Sequence, residues 1–433
     1  MRARLGTTFE SLSVRNYRLF AGGQLTKLIG VWMQFIAQDW LVLELSNNSA
    51  YALGVVTALQ FVPVVLLTLY GGKLADRYDK RRLLIAANAI FSGLALALGL
   101  LVASGTATLA VVYVFASLLG VVNAIETPVR QAFVSELVPT RLLPNALSLS
   151  AATFNSARIV GPALAGGAIA LMGTGPVFLV NAATYLAPAI ALIQMRPADL
   201  HRAAAPTRTD GRVRDGVRYV WHKKDLLLPI VMMFVIGMVG FNFQLTLAVL
   251  AKTVFETGPE SFGLLTTALA VGSLIGALAS SGRRARPSAY AVLGAAIGFG
   301  ALETLVGFAP TFLSTAALLI PTGFFMIYFA QAANQRLQLG TDPAFRGRVM
   351  AIYVFVFLGT TPIGAPAIGW LSEHYGPRLA IWAGGLLSMT MALVALAWQL
   401  RHSGARLRLR LRPLPKVYVC RPADVTATAV AKV

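Results

Sequence analysis

Long apolar runs alternate with short polar segments along almost the whole chain. Each run is close to the ~20 residues that a helix needs to cross the hydrocarbon core of a bilayer. We therefore predict an all-α integral membrane protein with twelve transmembrane helices. The predicted spans are Leu19–Leu45, Ala52–Tyr70, Leu83–Val102, Leu109–Ile125, Leu147–Met172, Val177–Met195, Leu226–Leu250, Phe262–Ser280, Tyr290–Phe308, Phe312–Ala332, Val349–Leu371 and Leu379–Leu400.

The composition agrees with a membrane protein. Of the 433 residues, 57% are hydrophobic and only 12% are charged, whereas soluble domains carry about 25% charged residues. The first apolar run is too long for a cleavable signal peptide, so we expect none. The single cysteine, Cys420, permits no disulfide within the chain and offers no paired thiol site for a metal.

Matching residues recur at one fixed offset along the chain. The pairs Gln131 and Gln335, Pro139 and Pro343, Pro162 and Pro366, Gln38 and Asn242, and Gly72 and Gly276 are each 204 residues apart. One such match would mean little, but several at one spacing indicate two homologous halves. Parallel repeats of this kind are typical of membrane transporters.

Between the halves the hydrophobicity collapses into a linker that carries Pro and Arg. The linker ends in DGRVRDGVRYVWHKK, which is compatible with an amphipathic surface helix. We therefore predict four regions: a six-helix bundle at 1–195, a cytoplasmic linker at 196–225, a second six-helix bundle at 226–400 and a basic cytoplasmic tail at 401–433.

The net charge of +20 comes from 37 Lys and Arg against 17 Asp and Glu. Its placement indicates how the chain is oriented in the membrane more than what the protein binds. Nearly all loop cations lie on one side of the predicted bundle, and only Lys252 and Arg378 occupy the other side. By the positive-inside rule both termini are cytoplasmic. Attraction to anionic membrane lipids is a secondary effect, and binding of nucleic acid is not expected.

A charged segment, GGKLADRYDKRR at Gly71–Arg82, separates the second and third spans. Its pattern, GxxxDR followed by a basic cluster, resembles the loop between helices 2 and 3 of the major facilitator superfamily of membrane transporters. The resemblance implies a brace for one conformational state that uses Gly72, Asp76, Arg77 and Arg81. Asp76 can cap a helix end or pair with a nearby Arg. The alternative is that the cations of this segment only fix the topology of the chain in the membrane. Asp79 departs from the Gly of many members, and the second-half copy has Ser280 instead of Asp.

The fifth span contains RIVGPALAGG, Arg158–Gly167. Gly161, Pro162, Gly166 and Gly167 predict a bent helix with a flat face for close packing. The segment resembles the antiporter motif GxxxGPxxGG, with Ala157 in place of the first Gly. Ordinary packing of small residues remains the alternative.

Arg158 lies near the bilayer midplane when its span is counted at ~1.5 Å per residue. An unpaired guanidinium there costs at least ~3 kcal/mol, so we expect Arg158 to face the interior and hold a partner. Asn155, one turn earlier on the same face, can share that site. Alternatively, Arg158 only ties helices together.

Polar residues on other spans are candidates for a substrate or proton pathway. Lys27, Gln34 and Gln38 share one face of the first span and should line a wet cavity, since hydrocarbon offers them no partners. Across the repeat, Asn242, Gln244 and Gln331 are further candidates for lining the cavity.

Three acids lie within predicted spans. A proton-coupled carrier needs a carboxyl group that alternates between its charged and neutral forms, and burial favours the neutral form. Asp39 is the first candidate for that role and Glu303 the second. Glu126, nearer the cytoplasmic end of its span, can instead pair with Arg130.

No constellation for catalysis or metal binding competes with transport. The four histidines lie in loops or tails and lack metal-ligand spacing. Motifs for hydrolysis or phosphate binding are missing. We therefore expect neither an enzyme nor a cofactor.

Taken together, YRLFAGGQ, GGKLADRYDKRR, PVRQAFVSELVP and RIVGPALAGG resemble the bacterial branch of the superfamily that contains enterobactin exporters and macrolide efflux proteins. The resemblance implies a monomeric carrier that exports a small molecule against protons by alternating access. Many drug exporters carry an Arg in the fourth span, where this chain has LLGVVNAIE, and Arg158 is the candidate to replace that Arg.

The leading hypothesis is proton-coupled export of an amphipathic drug, antibiotic or siderophore, because the expected cavity has few polar groups among many apolar ones. A proton-coupled uptake symporter and a lipid-moving carrier on the same fold are alternatives. A non-transporting membrane receptor or scaffold is a third, which would need no Arg158 at the midplane.

Overall fold

The computed structural model describes residues 9–201, 213–281, 285–403, 406–410 and 416–420. In this part of the chain α-helices dominate. In chain order they are α1 (Arg15–Leu45), α2 (Ala50–Arg77), α3 (Lys80–Ala103), α4 (Leu109–Leu137), α5 (Leu143–Met172), α6 (Thr174–Gln194), α7 (Val213–His222), α8 (Lys224–Val239), α9 (Phe243–Val249), α10 (Pro259–Ser281), α11 (Ala289–Phe308), α12 (Phe312–Gly340), α13 (Pro343–Gly359), α14 (Thr361–Tyr375) and α15 (Pro377–Ser403).

All twelve predicted spans lie on these helices, which confirms the fold class for the membrane region. Among the described residues, eleven helical segments are long and apolar enough to cross a bilayer, with α8–α9 and α13–α14 each counted as one segment. The fifth predicted span, on the 30-residue helix α5, is not among the eleven. Its length suffices, but Asn155, Arg158 and several small residues lower its hydropathy.

Several helices continue past the ends that hydropathy predicts. Helix α2 runs to Arg77 and α4 to Leu137, whereas the predicted spans stop at Tyr70 and Ile125. Backbone hydrogen bonds continue through polar residues that hydropathy excludes. The segment Gly71–Arg82, predicted as a loop, is therefore almost wholly helical.

Local side chains fix where the helices start. Ser49 accepts a hydrogen bond from the backbone N of Ala52 at 3.1 Å and so caps α2. Asp79 accepts from the backbone N of Arg82 at 3.0 Å and caps α3. Such caps satisfy backbone donors that lack a partner within the helix. The cap of α3 is thus Asp79, which departs from the superfamily pattern, and not Asp76.

The helices form two groups that match the two halves of the repeat. In the first group α1 packs on α5 and α6, α2 on α4, and α3 on α4 and α6. In the second group α10 packs on α12, and α11 on α12 and α15. The extensive contacts between the groups are those of α2 with α14 and of α5 with α10.

These contacts between the groups lie at the end of the bundle away from the chain termini, here called the far end. Helices α2 and α10 begin there, and α5 and α14 end there. Glycines allow the close approach: a Cβ on Gly54 of α2 would lie 2.5 Å from the carbonyl oxygen of Ala365. A Cβ on Gly166 of α5 would lie 2.8 Å from the Cα of Glu260.

A carboxylate also joins the two groups at the far end. An oxygen of Glu373, in the last turn of α14, accepts hydrogen bonds from Ser49 Oγ at 2.5 Å and from the backbone N of Tyr51 at 2.8 Å. Both donors belong to the start of α2, where backbone N–H groups lack helical acceptors. Glu373 thus stabilises the closed far end.

The seventh span is discontinuous. Helix α8 ends at Val239, residues 240–242 are not helical, and α9 has only seven residues before a π-helical turn at Leu250–Val254. The corresponding first span, α1, is one uninterrupted helix of 31 residues. Discontinuous helices in transporters commonly form ligand and ion sites.

The predicted amphipathic helix of the linker is present as α7. Its Tyr219 stacks on Phe345 of α13, with ring centroids 4.4 Å apart. Lys223 Nζ donates to the Tyr219 hydroxyl at 2.7 Å, and this bond lowers the pKa of Tyr219. Asp225, in the first turn of α8, pairs with Arg286 and Arg336. These contacts hold the end of the linker against the second group of helices.

The basic tail contains structure that hydropathy did not predict. Strand β1 (Arg406–Arg410) pairs antiparallel with β2 (Lys416–Cys420), with Arg408 opposite Tyr418. Both segments, RLRLR and KVYVC, include polar and apolar residues in alternation, a pattern typical of strands.

Candidate functional site

A buried ion cluster lies inside the first group of helices. Lys27 Nζ of α1 is 2.7 Å from Glu126 Oε1 of α4, and Arg130 Nε is 3.1 Å from the same oxygen. The Lys27 and Glu126 side chains are only 5% and 3% exposed. The ammonium also lies 5.0 Å from the ring centroid of Phe91. The cluster carries one net positive charge and keeps Glu126 paired on two sides.

The predicted pairing of Glu126 with Arg130 is therefore present, but Lys27 is a second partner that sequence reasoning missed. Gln34, on the same face of α1, accepts hydrogen bonds from Asn181 Nδ2 and from the Tyr185 hydroxyl of α6. Lys27 and Gln34 are thus buried against protein groups and do not line an open cavity in this structure. Their place on a substrate or proton pathway stays a prediction.

Asp39 joins the two groups of helices. Its Oδ2 accepts a hydrogen bond from Gln244 Nε2 of α9 at 2.7 Å, and the residue is 2% exposed. The next residue, Trp40, has Lys252 Nζ of the π-helical turn 4.7 Å from its ring centroid. A buried acid and an adjacent aromatic ring therefore connect α1 to the discontinuous seventh span. Neighbouring Gln38 is also buried, and its Nε2 has no hydrogen-bond partner among the described residues.

Glu303 lies beside the discontinuity of the seventh span. The residue is 3% exposed, and its Oε2 finds no hydrogen-bond partner in the described part of the chain. A Cβ on Gly240 would lie 2.9 Å from Oε2, and one on Gly384 of α15 would lie 3.5 Å from Oε1. Asn242 donates to the Met238 carbonyl at 2.9 Å. A carboxyl group without a counter-charge among the described residues thus lies beside the non-helical residues that interrupt the seventh span.

Arg158 lies mid-length on α5, and its partner is aromatic; its place at the bilayer midplane stays a prediction. The guanidinium is 5.8 Å from the ring centroid of Trp32, and no described carboxylate lies within ion-pair distance. Trp32 in turn contacts Phe35 and Phe154 edge-on at 5.6 and 5.9 Å. A cation over an indole face is stabilised by about 0.5–2 kcal/mol. An amphipathic surface of one guanidinium and three rings results.

Two other predicted pathway residues are not brought into this cluster. Asn155 donates its amide to the Ala151 carbonyl of its own helix at 2.8 Å. Gln331, on α12, is exposed. The first of these does not share the Arg158 site in this structure, and the role of both stays a prediction.

The charged residues of Gly71–Arg82 differ in their contacts. Arg81 donates from Nε to the Leu192 carbonyl at 2.6 Å and from Nη2 to the Ile193 carbonyl at 3.0 Å, so it caps the end of α6. Asp76 is exposed and forms no ion pair with the described residues. Arg77 lies 5.9 Å from the ring centroid of Tyr78.

Close backbone approach in this segment involves Gly71 and not Gly72, the glycine that the resemblance assigned to the brace. A Cβ on Gly71 would lie 3.0 Å from the Cα of Ile125 on α4, whereas Gly72 has open space around it. The reason is rotation: neighbouring residues on a helix point about 100° apart. Only one of the two glycines therefore faces α4.

The glycines of the antiporter-like motif divide between two packing surfaces. Gly161 packs against Trp32 of α1, and Gly166 packs against the start of α10 in the other group. The carbonyl of Pro162 contacts Gly263 of α10, while Gly167 has nothing within 4 Å of an added Cβ. The close packing predicted for this face is present at Gly161 and Gly166. Part of the motif therefore lies at the junction of the halves.

Known proteins resemble this chain in sequence. The family model described as transmembrane secretion effector matches residues 6–419. The staphyloferrin A transporter of Staphylococcus aureus is 29% identical over 60% of this chain, and the match spans 66% of that relative. The multidrug efflux pump Tap of Mycolicibacterium fortuitum is 27% identical over 87% of this chain and 93% of the pump.

Solved structures share the fold at lower identity. A bacterial homologue of the iron transporter ferroportin, in an inward-facing state, has a TM-score of 0.70 at 15% identity and covers 89% of this chain and 98% of its own. A bacterial homologue of the lysosomal transporter Spinster, also inward-facing, has a TM-score of 0.65 at 14% identity and covers 89% of this chain and 95% of its own.

These relatives are transporters and not enzymes. The family model covers nearly the whole length of the sequence, and the structural neighbours share the fold of this chain. The chain therefore belongs to the transmembrane secretion effector family, within the major facilitator superfamily of membrane transporters.

Proposed function

We propose that this chain exports an amphipathic small molecule, of the drug, antibiotic or siderophore class, by proton antiport through alternating access. The observation that carries the proposal is the hydrogen bond between Asp39 and Gln244, a buried acid that joins the two halves. The similarity to a staphyloferrin A transporter and to a multidrug efflux pump supports the substrate class. The place of transport is the cell (inner) membrane, with both termini cytoplasmic.

Alternating access requires the halves, proposed as residues 1–195 and 226–400, to separate first at one face and then at the other. With cytoplasmic termini, the far end is the outer face, and the structure corresponds to a state closed to the outside. The contacts of Glu373 with α2, of Gly166 with α10 and of Asp39 with Gln244 must then break for outward opening.

Asp39 suits proton exchange because its surroundings change when the halves separate. In the closed far end it is 2% exposed, and a charged carboxylate in such a site has a large desolvation cost. Opening the far end exposes Asp39 to outside water, where the charged form is solvated. The far end would close while Asp39 carries the proton. Asp39 would then release the proton to the cytoplasmic side when substrate binds. Proton entry would in this way be coupled to export.

The substrate surface we propose is the group of Arg158, Trp32, Phe35 and Phe154. Its aromatic rings offer apolar area, and its guanidinium offers up to five hydrogen-bond donors. Such a site favours a ligand with both a ring system and polar acceptors. A heavily hydroxylated sugar has less apolar surface with which to cover these rings.

The test is flux in everted membrane vesicles with an acidic lumen, in which cellular export becomes accumulation. The compounds are lipophilic cations, macrolides, siderophores and sugars, and vesicles without the protein are the control. We expect accumulation of an amphipathic compound that collapses on adding a protonophore, with proton release when substrate is added. Failure of every compound to accumulate, with correctly inserted protein, would overturn the proposal in favour of uptake, lipid movement or a role without transport.

A further inference from the structure

The discontinuity of the seventh span places two negative features together. The C-terminal end of a helix carries a partial negative charge of about half an electron, and α8 ends at Val239. The carboxyl group of Glu303 approaches Gly240, the residue that follows, and is 3% exposed. Two negative features in a low-dielectric interior repel each other unless a cation binds there or the carboxyl is protonated.

The described part of the protein supplies no cation for this purpose. The helices that pack on α11 are α8, α12 and α15. The ionisable groups that they and the neighbouring turn carry near their ends are Lys224, Asp225, Lys252, Arg336, Arg378, Arg401 and His402, with Tyr290 on α11 itself. Arg336 pairs with Asp225, Arg378 donates to the Ala309 carbonyl, and Lys252 lies over Trp40. Glu303 therefore has no built-in counter-ion.

Oxygen atoms suitable for a small cation lie on the helices α8, α11 and α15 near this break. Gly384 of α15 approaches both the Val239 carbonyl and Glu303, with its added Cβ 2.7 Å from the carbonyl oxygen. Ser388, one turn further along α15, is fully buried, and its hydroxyl has no hydrogen-bond partner among the described residues. Transporters bind Na⁺ or H⁺ with unwound backbone carbonyls and the C-terminal ends of broken helices. The carboxylate and the hydroxyl add oxygen atoms, which hard cations prefer as ligands.

The site is also connected to the closed far end. Gln244, which donates to Asp39 of the other half, lies two residues after the break. We propose that residues 240–242, together with Glu303, form a site for a small monovalent cation, either a proton or a sodium ion. Its occupancy sets the position of α9 and, through Gln244 and Asp39, the closure of the halves. This link to closure rests on the proposed transport function, whereas the cation site does not.

The test uses the purified full-length protein without substrate or gradient, so that a failure of transport does not affect it. Equilibrium binding of radioactive ²²Na⁺ measures the sodium form, and the infrared absorption of a protonated carboxyl group during a pH titration measures the proton form. The variant is Glu303→Gln, which keeps the shape of the side chain and removes its charge. The control is Glu44→Gln, which changes an exposed carboxylate of α1.

We expect either saturable ²²Na⁺ binding or a titrating carboxyl band in the wild type and in Glu44→Gln. Glu303→Gln should lose the sodium binding, or it should lose the part of the band that belongs to Glu303 while the part that belongs to Asp39 remains. Sodium binding identifies the ion as Na⁺, and a carboxyl band alone identifies it as H⁺. A signal that persists unchanged in Glu303→Gln, or the lack of both signals in the wild type, would overturn the proposal.

A second variant keeps the carboxylate and tests the same site if Glu303→Gln fails to fold. Gly240→Ala places a methyl group 2.9 Å from Glu303 Oε2 and 2.8 Å from the ring of Phe299. The crowding should displace the carboxyl group and weaken cation binding about tenfold, or shift the titration of the band by about one pH unit. An unchanged affinity and titration in a folded Gly240→Ala protein would count against the site.

Discussion

Two buried glutamates, one in each half, have opposite surroundings. Glu126 and Glu303 are both 3% exposed. Glu126 contacts Lys27 and Arg130, whereas Glu303 has no counter-charge among the described residues. A carboxylate held between two cations remains charged and ties helices together, while one without a cation can exchange a proton or an ion. Burial alone therefore does not distinguish a structural acid from a functional one.

The same contrast appears in the backbone of the two corresponding spans. Gln38 lies within the uninterrupted helix α1, while its repeat counterpart Asn242 lies at the break before α9. In the first half α1 is fixed to α4 and α6 by Lys27 and Gln34. We interpret the first half as the more rigid of the two and the seventh span as the place where a small rearrangement is possible.

The largest expected effect is a difference in the stability of the folded protein between the variants Glu126→Gln and Glu303→Gln. Glu126→Gln leaves Lys27 and Arg130 without their counter-charge, and breaking a buried pair costs roughly 3–5 kcal/mol. Glu303→Gln removes a carboxyl group that has no counter-charge among the described residues, so in sodium-free buffer its loss should be neutral or stabilising. Thermal unfolding of the purified variants in detergent measures the difference.

A control variant tests whether the effect at Glu126 comes from charge. Replacing Lys27 with Met in the Glu126→Gln background removes one of the two unpaired cations, so it should recover part of the lost stability. If Glu126→Gln and Glu303→Gln unfold at the same temperature, the distinction between a structural and a functional acid is wrong.

Much of the fold was predictable because the signals are local. Apolar runs set the twelve spans, and the constant offset of pairs such as Pro162 and Pro366 indicated two halves. The ends of helices were less predictable, since hydropathy stops at Tyr70 while the hydrogen bonds of α2 continue to Arg77. The break at residues 240–242 gave no strong local signal, because Gly240 resembles many other glycines within spans.

The candidate site was predictable in composition but not in pairing. Asp39, Glu126, Arg158 and Glu303 stand out as charges in apolar runs. Their partners come from distant parts of the chain, such as Gln244 for Asp39, and only the three-dimensional packing brings them together. Polar or aromatic residues within spans, such as Asn181 and Trp32, were the signal that could have identified the missed partners.

The next effect concerns Asp39, which contacts the seventh span at Gln244, after the break at residues 240–242. Asp39→Asn keeps an oxygen that can accept the Gln244 bond but cannot take up or release a proton. We expect protein that folds and exchanges substrate across the membrane, without accumulation driven by a pH gradient. Flux in everted vesicles, with and without the gradient, measures this loss.

Glu44→Gln is a suitable control for Asp39→Asn, because it removes an exposed carboxylate from the same helix. It should retain accumulation driven by the gradient. Full gradient-driven accumulation by Asp39→Asn would remove Asp39 from proton coupling and leave Glu303 as the candidate.

The smallest effect concerns an acid outside the buried pair, Glu373, whose bonds to Ser49 and Tyr51 exist only while the far end is closed. Glu373→Gln keeps acceptor atoms but removes the charge, and an exposed charge-assisted bond is worth about 1 kcal/mol. The equilibrium should therefore shift roughly fivefold toward an open far end.

Spin labels on Leu171→Cys and Leu264→Cys, in a Cys420→Ser background, report the separation of α5 and α10. The label distances should lengthen in a larger fraction of molecules for Glu373→Gln than for Glu44→Gln. Equal distributions would mean that glycine packing between α2 and α14, and not the carboxylate, holds the far end closed.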